Sequence, residues 1–449
     1  MNAIQHKADA RKQDVVYGMG STGLSVARFL ARQHVPAIFV DSRSEPPGIE
    51  ELKSIQPDAE IVLGMPGPEV LARTQRVIVS PGINDRDPFL NAARAAGIDV
   101  VSDIELFVEH ATAPFIAITG SNGKSTVTTL LALMCEAAGK TAHAGANLGK
   151  PALDLLTAET PDLFVLELSS FQLQRTRYLP AKVAVLLNIS ADHLDWHRDE
   201  AEYRAAKYRI LREANAVVIN RSDATARTQV TAEQTCRSFA LNEPRRQNYG
   251  ITEYDGESWL TRGDERLLAT SQMALVGIHN QENALAALAA GDLLGLSMPA
   301  MLSVLKSFAG LPHRMQRVRR LRDVDYINDS KATNVAAAIA AVNSVDGPVV
   351  LIAGGQGKGG DFIAFANAVH EKLRAAILIG EDAGKIAAAF GERSKVLQAA
   401  SLADAVQTAA GLANAGDTVL LAPACASFDQ FANYMQRGIA FCAAAEALS

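Results

Sequence analysis

Short apolar runs alternate with Ala- and Leu-rich stretches of helical spacing along most of this chain. Runs such as Asp14-Val-Val-Tyr17, Ala37-Ile-Phe-Val40, Arg76-Val-Ile-Val-Ser80, Pro114–Thr119, Asp162–Leu166 and Val183–Asn188 are nearly continuous in apolar residues. That is the pattern of strands covered on both faces. Further runs of this kind are Val324–Asp329, Pro348–Ala353, Ala375–Gly380 and Thr418–Ala422. Strands separated by helical segments predict an α/β fold built on parallel sheets. Residues 221–276 are more polar with weak alternation and predict extra antiparallel strands. The turn Gly310-Leu-Pro-His-Arg314 reads as a hinge into a last α/β segment. The expectation is therefore three domains, 1–102, 103–311 and 312–449.

Two glycine turns carry the first chemistry. Ala117-Ile-Thr-Gly-Ser-Asn-Gly-Lys-Ser-Thr126 joins a strand to a helix and ends in Gly123-Lys124-Ser125. Such a turn aims backbone N–H groups and a helix N-terminus at phosphate oxygens. Lys124 adds a charge near the outer phosphates and Ser125 a hydroxyl for Mg²⁺, which predicts a nucleoside triphosphate site. The longer phosphate-loop pattern would need glycine at position 118, where this chain has isoleucine. The other turn, Gly18-Met-Gly20-Ser-Thr-Gly23, lies between a strand and a helix, and the next strand ends at Asp41-Ser42-Arg43. That arrangement suits a βαβ nucleotide site with an acidic residue for a ribose; close helix–strand packing is its structural alternative.

Other polar residues fall at strand ends. Glu167 follows Leu163–Leu166, where a carboxylate can meet Mg²⁺. Asn188-Ile-Ser-Ala-Asp192-His193-Leu-Asp195 puts an imidazole and two carboxylates after another strand. Lys207, in a helical run, reads on its own as an ordinary exposed lysine. In the last segment Asn328–Asn334, Gly354–Asp361 with Lys358, and Ala422–Phe431 each follow a strand, which predicts a second ligand site. Cys425 reads as a small buried thiol rather than a nucleophile.

Composition narrows the class. The chain has 449 residues, 48% of them hydrophobic, and a net charge of −6. It is long enough for two to four domains. No basic block marks it for nucleic acid or an anionic membrane. Its four cysteines show no metal-ligand spacing, the first residues lack an apolar signal segment, and no run is long enough to span a bilayer. A reduced, cytoplasmic, monomeric enzyme is the expectation.

In their joint order these motifs resemble the Mur ligases, ATP-dependent enzymes that add amino acids to the cytoplasmic peptidoglycan precursor. The resemblance runs from Gly18–Leu24 through Ser80-Pro-Gly-Ile83, Asn147-Leu-Gly149, Glu167–Leu173, His279-Asn-x-x-Asn283 and Leu311–Arg314 to Pro423–Phe431. It implies a Rossmann-like UDP-binding domain, a central P-loop ATPase-type domain and a Rossmann-like C-terminal domain. The implied reaction joins D-glutamate to UDP-N-acetylmuramoyl-L-alanine through an acyl phosphate; L-glutamate, or another Mur-type addition, is the alternative. Gly18, Gly20, Gly23, Asp41, Ser42, Arg43, Ser80 and Asn147 would hold the UDP substrate. Thr119, Gly120, Ser121, Asn122, Gly123, Lys124, Ser125, Thr126, Asn280, Asn283, Arg314, Asp329 and Lys331 would hold ATP. Ser125, Glu167, His193 and a carbamylated Lys207 would serve two Mg²⁺ sites, with Lys124, His193 and Lys207 catalytic. Thr333, Lys358, Ser427 and Phe428 would receive the glutamate. Gln356 and Tyr434 depart from the family pattern beside that last site, where the family commonly has aspartate and phenylalanine. The chain lacks the Asp-Asn-Pro-Arg stretch of a diaminopimelate or lysine adder. An NAD oxidoreductase and a nucleotide-triggered binding module are the readings from other classes.

Overall fold

The computed structural model describes residues 12–190, 192–193, 196–275, 277–357 and 359–449. The chain divides into two compact units, Met1–Ile189 with Trp196–Phe239 and Ala286–Met301, and Ser190–Asp195 with Ala240–Leu285 and Leu302–Ser449.

The first unit contains two parallel arrays. Strands β1 (Gln13–Tyr17), β2 (Ala37–Asp41), β3 (Glu60–Leu63), β4 (Thr74–Val79) and β5 (Asp99–Ser102) form a sheet in the order β3-β2-β1-β4-β5. Every pairing is parallel. The order reverses at β1, so its carboxyl end and that of β4 flank the crevice where such sheets take ligands. Gly18 and Ser80 sit directly after those two strands. The second array holds β6 (Phe115–Thr119), β7 (Ala142–Ala146), β8 (Leu163–Glu167), β9 (Val183–Leu186), β10 (Ala216–Asn220) and β11 (Thr235–Phe239). It runs β11-β10-β9-β6-β8-β7, again all parallel.

Hydrophobic pattern and observed strands agree where both faces are covered, as in β1, β2, β6, β8 and β9. It did not reveal β7, whose sequence Ala-His-Ala-Gly-Ala carries little apolar bulk, β3, a sheet-edge strand that is not fully buried, or β5 and β10. Strand β11, in the stretch expected to be antiparallel, pairs in parallel with β10. One apolar cluster runs from the helix Ser21–Arg32 through the helix Asp103–His110 to β6 and β8. Phe107 lies at its middle, edge-on to Phe164 at 5.1 Å and to Phe115 at 6.2 Å.

In the second unit β12 (Tyr249–Tyr254), β13 (Glu257–Arg262) and β14 (Glu265–Ala269) form an antiparallel meander, as the weak alternation there suggested. Asp255-Gly256 makes its first turn with positive φ at both residues, the geometry that continues the strand twist. The remaining strands are β15 (Gln316–Leu321), β16 (Val324–Asn328), β17 (Val349–Gly354), β18 (Leu373–Ile379), β19 (Val396–Gln398) and β20 (Thr418–Leu421). Their order is β15-β16-β20-β17-β18-β19, with only β15 antiparallel. The three chemistry-bearing loops thus follow three adjacent strands, β16, β20 and β17. No helix among the described residues is long and apolar enough to cross a membrane.

Phe107 is fully buried, and truncating it removes a ring that three elements share. Phe107→Ala is expected to destabilise the first unit by about 3–5 kcal/mol, read as a lower urea midpoint for the transition that reports that unit.

Candidate active site

The glycine turn after β1 is built by close packing. Gly18 has φ +102°, and a side chain there would run into Ser80. A Cβ on Gly23 would collide with the Gly18 carbonyl oxygen, so both glycines are required by the backbone itself. Gly20 caps the helix Ser21–Arg32 without a side-chain hydrogen bond, leaving the helix N-terminus to face an anion. Asp41 is buried. Its carboxylate accepts from Met19 N at 2.7 Å and from Arg43 Nε and Nη2 at 2.8 Å each. Burial would raise its pKa, but the hydrogen bonds from Arg43 and Met19 overcome this and hold it below the usual carboxylate range. Asp41 therefore pins the turn and orients Arg43, while Ser42 stays exposed.

The second glycine turn gathers more groups. Gly123 takes φ +84° and starts the helix Lys124–Ala137. Asn188, at the end of β9, receives Asn122 N at 2.8 Å and donates to Asn122 O at 3.1 Å, clamping the turn. Lys124 Nζ donates to Gly120 O at 2.8 Å and to Ser121 O at 2.9 Å. Thr119 is buried and its hydroxyl donates to Leu168 O at 2.7 Å; Thr126 is buried in the first turn of the helix.

Glu167 is the last residue of β8 and only 2% exposed. Ser125 Oγ donates to its Oε2 at 2.6 Å and Asn147 Nδ2 to its Oε1 at 2.6 Å. One carboxylate thus joins the phosphate loop to the turn that follows β7. These hard oxygen donors suit Mg²⁺.

Lys207 is not the exposed lysine that its helical run suggested. It is 2% exposed, and its Nζ donates to Gly120 O at 2.8 Å and Thr119 Oγ1 at 3.4 Å. The ring of Tyr203, one helical turn earlier, lies 4.8 Å from that nitrogen, and the Tyr203 hydroxyl is 2.8 Å from Ser121 Oγ. Lys124 and Lys207 therefore converge on the single carbonyl of Gly120.

His193 belongs to the second unit, is exposed, and takes φ +55°. Its neighbour Asp192 accepts from Asn334 Nδ2 at 3.0 Å. Asn283 Nδ2 lies 3.3 Å from Asn280 Oδ1 on the helix Ile278–Leu293, both residues buried. At the strand ends, Asp329 N donates to Leu421 O, Ala424 N to Ala332 O, and Gln356 pairs with Ala426 as a short bridge. Lys331 Nζ stands 4.2 Å above the Tyr434 ring, and Thr333 N donates to Lys331 O at 2.7 Å. Ser427 is buried and Phe428 exposed. Lys358 lies outside the described residues.

Arg437 ties these loops together. It is 1% exposed and donates to Ser330 O at 2.9 Å, Ser330 Oγ at 3.0 Å, Cys425 O at 3.1 Å and Ala426 O at 3.3 Å. Burial lowers its pKa to about 10, so it stays charged at neutral pH. Cys425 is buried as expected, and burial pushes its thiol up to about 12. That is a structural thiol, not a nucleophile.

Three matched segments cover most of the chain. Residues 12–102 match the N-terminal domain of MurD-like Mur ligases, 118–291 the Mur ligase middle domain, and 313–425 the Mur ligase glutamate ligase domain. The chain belongs to the Mur ligase family. It is 47% identical over 439 residues to the UDP-N-acetylmuramoylalanine–D-glutamate ligase of Pseudomonas aeruginosa, covering 97% of this chain and 98% of that protein. The enzyme of the same name from Nitrosococcus oceani is also 47% identical, over 95% of each chain. The MurF ligase structure from Thermotoga maritima matches with a TM-score of 0.62 at 16% identity, covering 97% of this chain and 98% of that one, which shows a shared fold.

As a Mur ligase the chain presents a phosphate loop, a buried carboxylate, and cations held by carbonyls. Asn188, Tyr203 and Arg437 were not singled out from sequence. Tyr203 precedes Lys207 by four residues on one helix, a spacing that would have paired them had Lys207 been read as buried. Arg437 lies in the last helix, Tyr434–Glu446, with no local pattern to mark it.

Asp329 offers a pH test. Burial raises its carboxyl to about 7, against the opposing pull of Arg314, the Met315 N–H and Lys331. The folded chain then holds a proton that the unfolded chain has released, so the stability due to this group is intact below an unfolded pKa of about 3.9 and is lost as pH rises toward about 7. Asp329→Asn is expected to flatten the dependence of melting temperature on pH across about pH 4 to 8; unchanged slopes would reject the assignment.

Proposed function

We propose that this chain joins D-glutamate to UDP-N-acetylmuramoyl-L-alanine with conversion of ATP to ADP and phosphate, acting as a cytoplasmic monomer with domains 1–102, 103–311 and 312–449. The observation that carries this reading is Glu167, held between Ser125 of the phosphate loop and Asn147 of a turn assigned to the acceptor. Near full-length similarity to D-glutamate ligases supports the choice of amino acid.

A carboxylate is a poor electrophile. Attack by a carboxylate oxygen of the UDP-linked acid on the γ-phosphorus of ATP breaks the bond to ADP and gives an acyl phosphate. The amine of glutamate then attacks the acyl carbon, loses a proton, and phosphate leaves from the tetrahedral adduct. No enzyme nucleophile is required, so catalysis rests on position and charge.

Gly18, Gly20, Gly23 and Ser80 would hold the diphosphate, Arg43 oriented by Asp41 would pair with it, and Asn147 would touch the acyl end. Lys124 would leave its carbonyls for the transferring phosphoryl group, with the N–H groups of residues 120–126 around the phosphates. Ser125 and Glu167 would hold one Mg²⁺; His193 and Lys207 are each assigned to metal as well. Magnesium would neutralise charge developing on the phosphoryl oxygens. Asn280, Asn283, Arg314, Asp329 and Lys331 are assigned to the nucleotide, and Thr333, Lys358, Ser427 and Phe428 to the glutamate.

Lys207 is assigned as a carbamate. Two ammonium groups against one carbonyl repel each other. Carbamylation removes one of those charges and supplies oxygen donors that a lysine lacks.

Phosphate release with ATP, Mg²⁺ and UDP-N-acetylmuramoyl-L-alanine, with product mass confirmed, is expected only with D-glutamate and not with L-glutamate, L-alanine or D-aspartate. A preference for L-glutamate would keep the chemistry and correct the acceptor; no stimulation in folded protein would reject the reaction. Lys124→Ala should lose about 100-fold or more in turnover. Protein supplied with ¹³C-bicarbonate should show a carbamate carbon signal that Lys207→Arg lacks, and normal ligation by Lys207→Ala would remove the carbamate from the mechanism.

A further inference from the structure

Arg175 is a buried cation that the chemistry above does not use. Its side chain is 3% exposed, at the end of the short helix Ser170–Arg175. The guanidinium reaches the loop after β4: Nη1 donates to Ser80 O at 3.0 Å, Nη2 to Ile83 O, and Nε to Asp85 Oδ1 at 3.2 Å. Burial lowers its pKa, and Asp85 opposes that shift. Arg94 also donates to Asp85, so the carboxylate is held from both sides.

Each end of this contact leads to a site. Ser80 Oγ donates to Gly18 O at 3.0 Å and Ser80 N to Tyr17 O at 2.9 Å, which fixes the glycine turn to the loop that Arg175 grips. In the other direction, Ser169 and Gln172 form a capping box that starts the helix two residues after Glu167. A short, capped helix therefore lies between the guanidinium and the carboxylate that holds Ser125 and Asn147. The flanking contacts are weaker. Thr176 Oγ1 meets Ser102 Oγ at 3.0 Å, and Arg177 pairs with Glu105 and Asp99 with its side chain 56% exposed, where ion pairs contribute little.

We propose that Arg175 is a positioning residue that sets the Ser80–Ile83 loop and the Gly18 turn in register with Glu167, so that binding of the remote nucleotide is used to place the acyl carboxylate. This rests on the proposed UDP-linked substrate. A planar guanidinium can satisfy two carbonyls and a carboxylate at once, and an ammonium cannot reproduce that fork. Misplacement of reacting atoms by about 1 Å can cost about 100-fold, so a loop shift is expected to appear in turnover and not only in affinity.

The test compares wild type with Arg175→Lys and Arg175→Gln, with Arg177→Gln as the control on the exposed pair. Hydrogen exchange is followed at residues 18–24, 80–85 and 120–126. Turnover is measured with the full UDP-linked acid and with the same acid carried on a sugar 1-phosphate, lacking the uridine nucleotide. Both Arg175 variants are expected to exchange faster at 18–24 and 80–85 but not at 120–126. Their kcat with the full substrate should fall about 10- to 100-fold, with KM for ATP within about twofold. Their kcat with the truncated acid should fall much less, and Arg177→Gln should stay close to wild type. Unchanged exchange at 18–24 and 80–85 would overturn the proposal, as would an equal kcat loss with both substrates. If wild type ligates neither acid, the reaction reading fails at its own control, and the exchange pattern still decides whether Arg175 holds the loop.

Discussion

A carboxylate at the end of a buried parallel strand is costly unless every oxygen finds a donor. Glu167 meets that demand with Ser125 on one side and Asn147 on the other. The phosphate loop and the turn after β7 are consequently held by one group, and neither can move without leaving a buried charge short of a partner. Strand β8 lies directly beside β6 and β7 in the sheet, so the three segments carrying these residues are neighbours by hydrogen-bond order. The geometry of the candidate active site follows from this pairing more than from any single loop.

Buried cations extend the same logic. Lys207, Arg175 and Arg437 are each almost fully inaccessible, and two of them direct most of their donors at backbone carbonyls. A cation in that setting is tolerated because several partial negative charges replace its hydration. Each one also orders the loops that supply those carbonyls. Arg437 does this for the strand-end loops of the second unit, Arg175 for the loop beside Gly18, and Lys207 for the phosphate loop. Asp41 plays the converse part, since its charge is used inside the chain to orient Arg43.

Much of the fold was legible because parallel strands covered on both faces are continuous apolar runs. The runs at Val15, Ile38, Ile116 and Val165 identified the central strands, and the two glycine turns stand at the ends of β1 and β6. Among the strands that were missed, β3 is an edge strand with partly exposed positions and β7 is built of small residues that leave bulk to their neighbours. Gly18, Gly23, Lys124, Ser125 and Glu167 were singled out from spacing and strand position, and the structure sets them in the two glycine turns and at the end of β8. Lys207 was misread as exposed, because nothing in Tyr-Arg-Ala-Ala-Lys distinguishes a lysine on the covered face of a helix from one in solvent.

By itself, then, the sequence determined the α/β class, the glycine turns and the residue types able to meet phosphate. These depend on local dihedral freedom and on hydrophobic period, which a single stretch of chain contains. Only the tertiary structure decided that Asn188 clamps Asn122, that Lys124 and Lys207 meet at one carbonyl, and that Arg175 and Arg437 are buried. Those facts depend on which strands become neighbours and on how much water is excluded between them. Residues far apart in the chain acquire such properties together, when the sheets form.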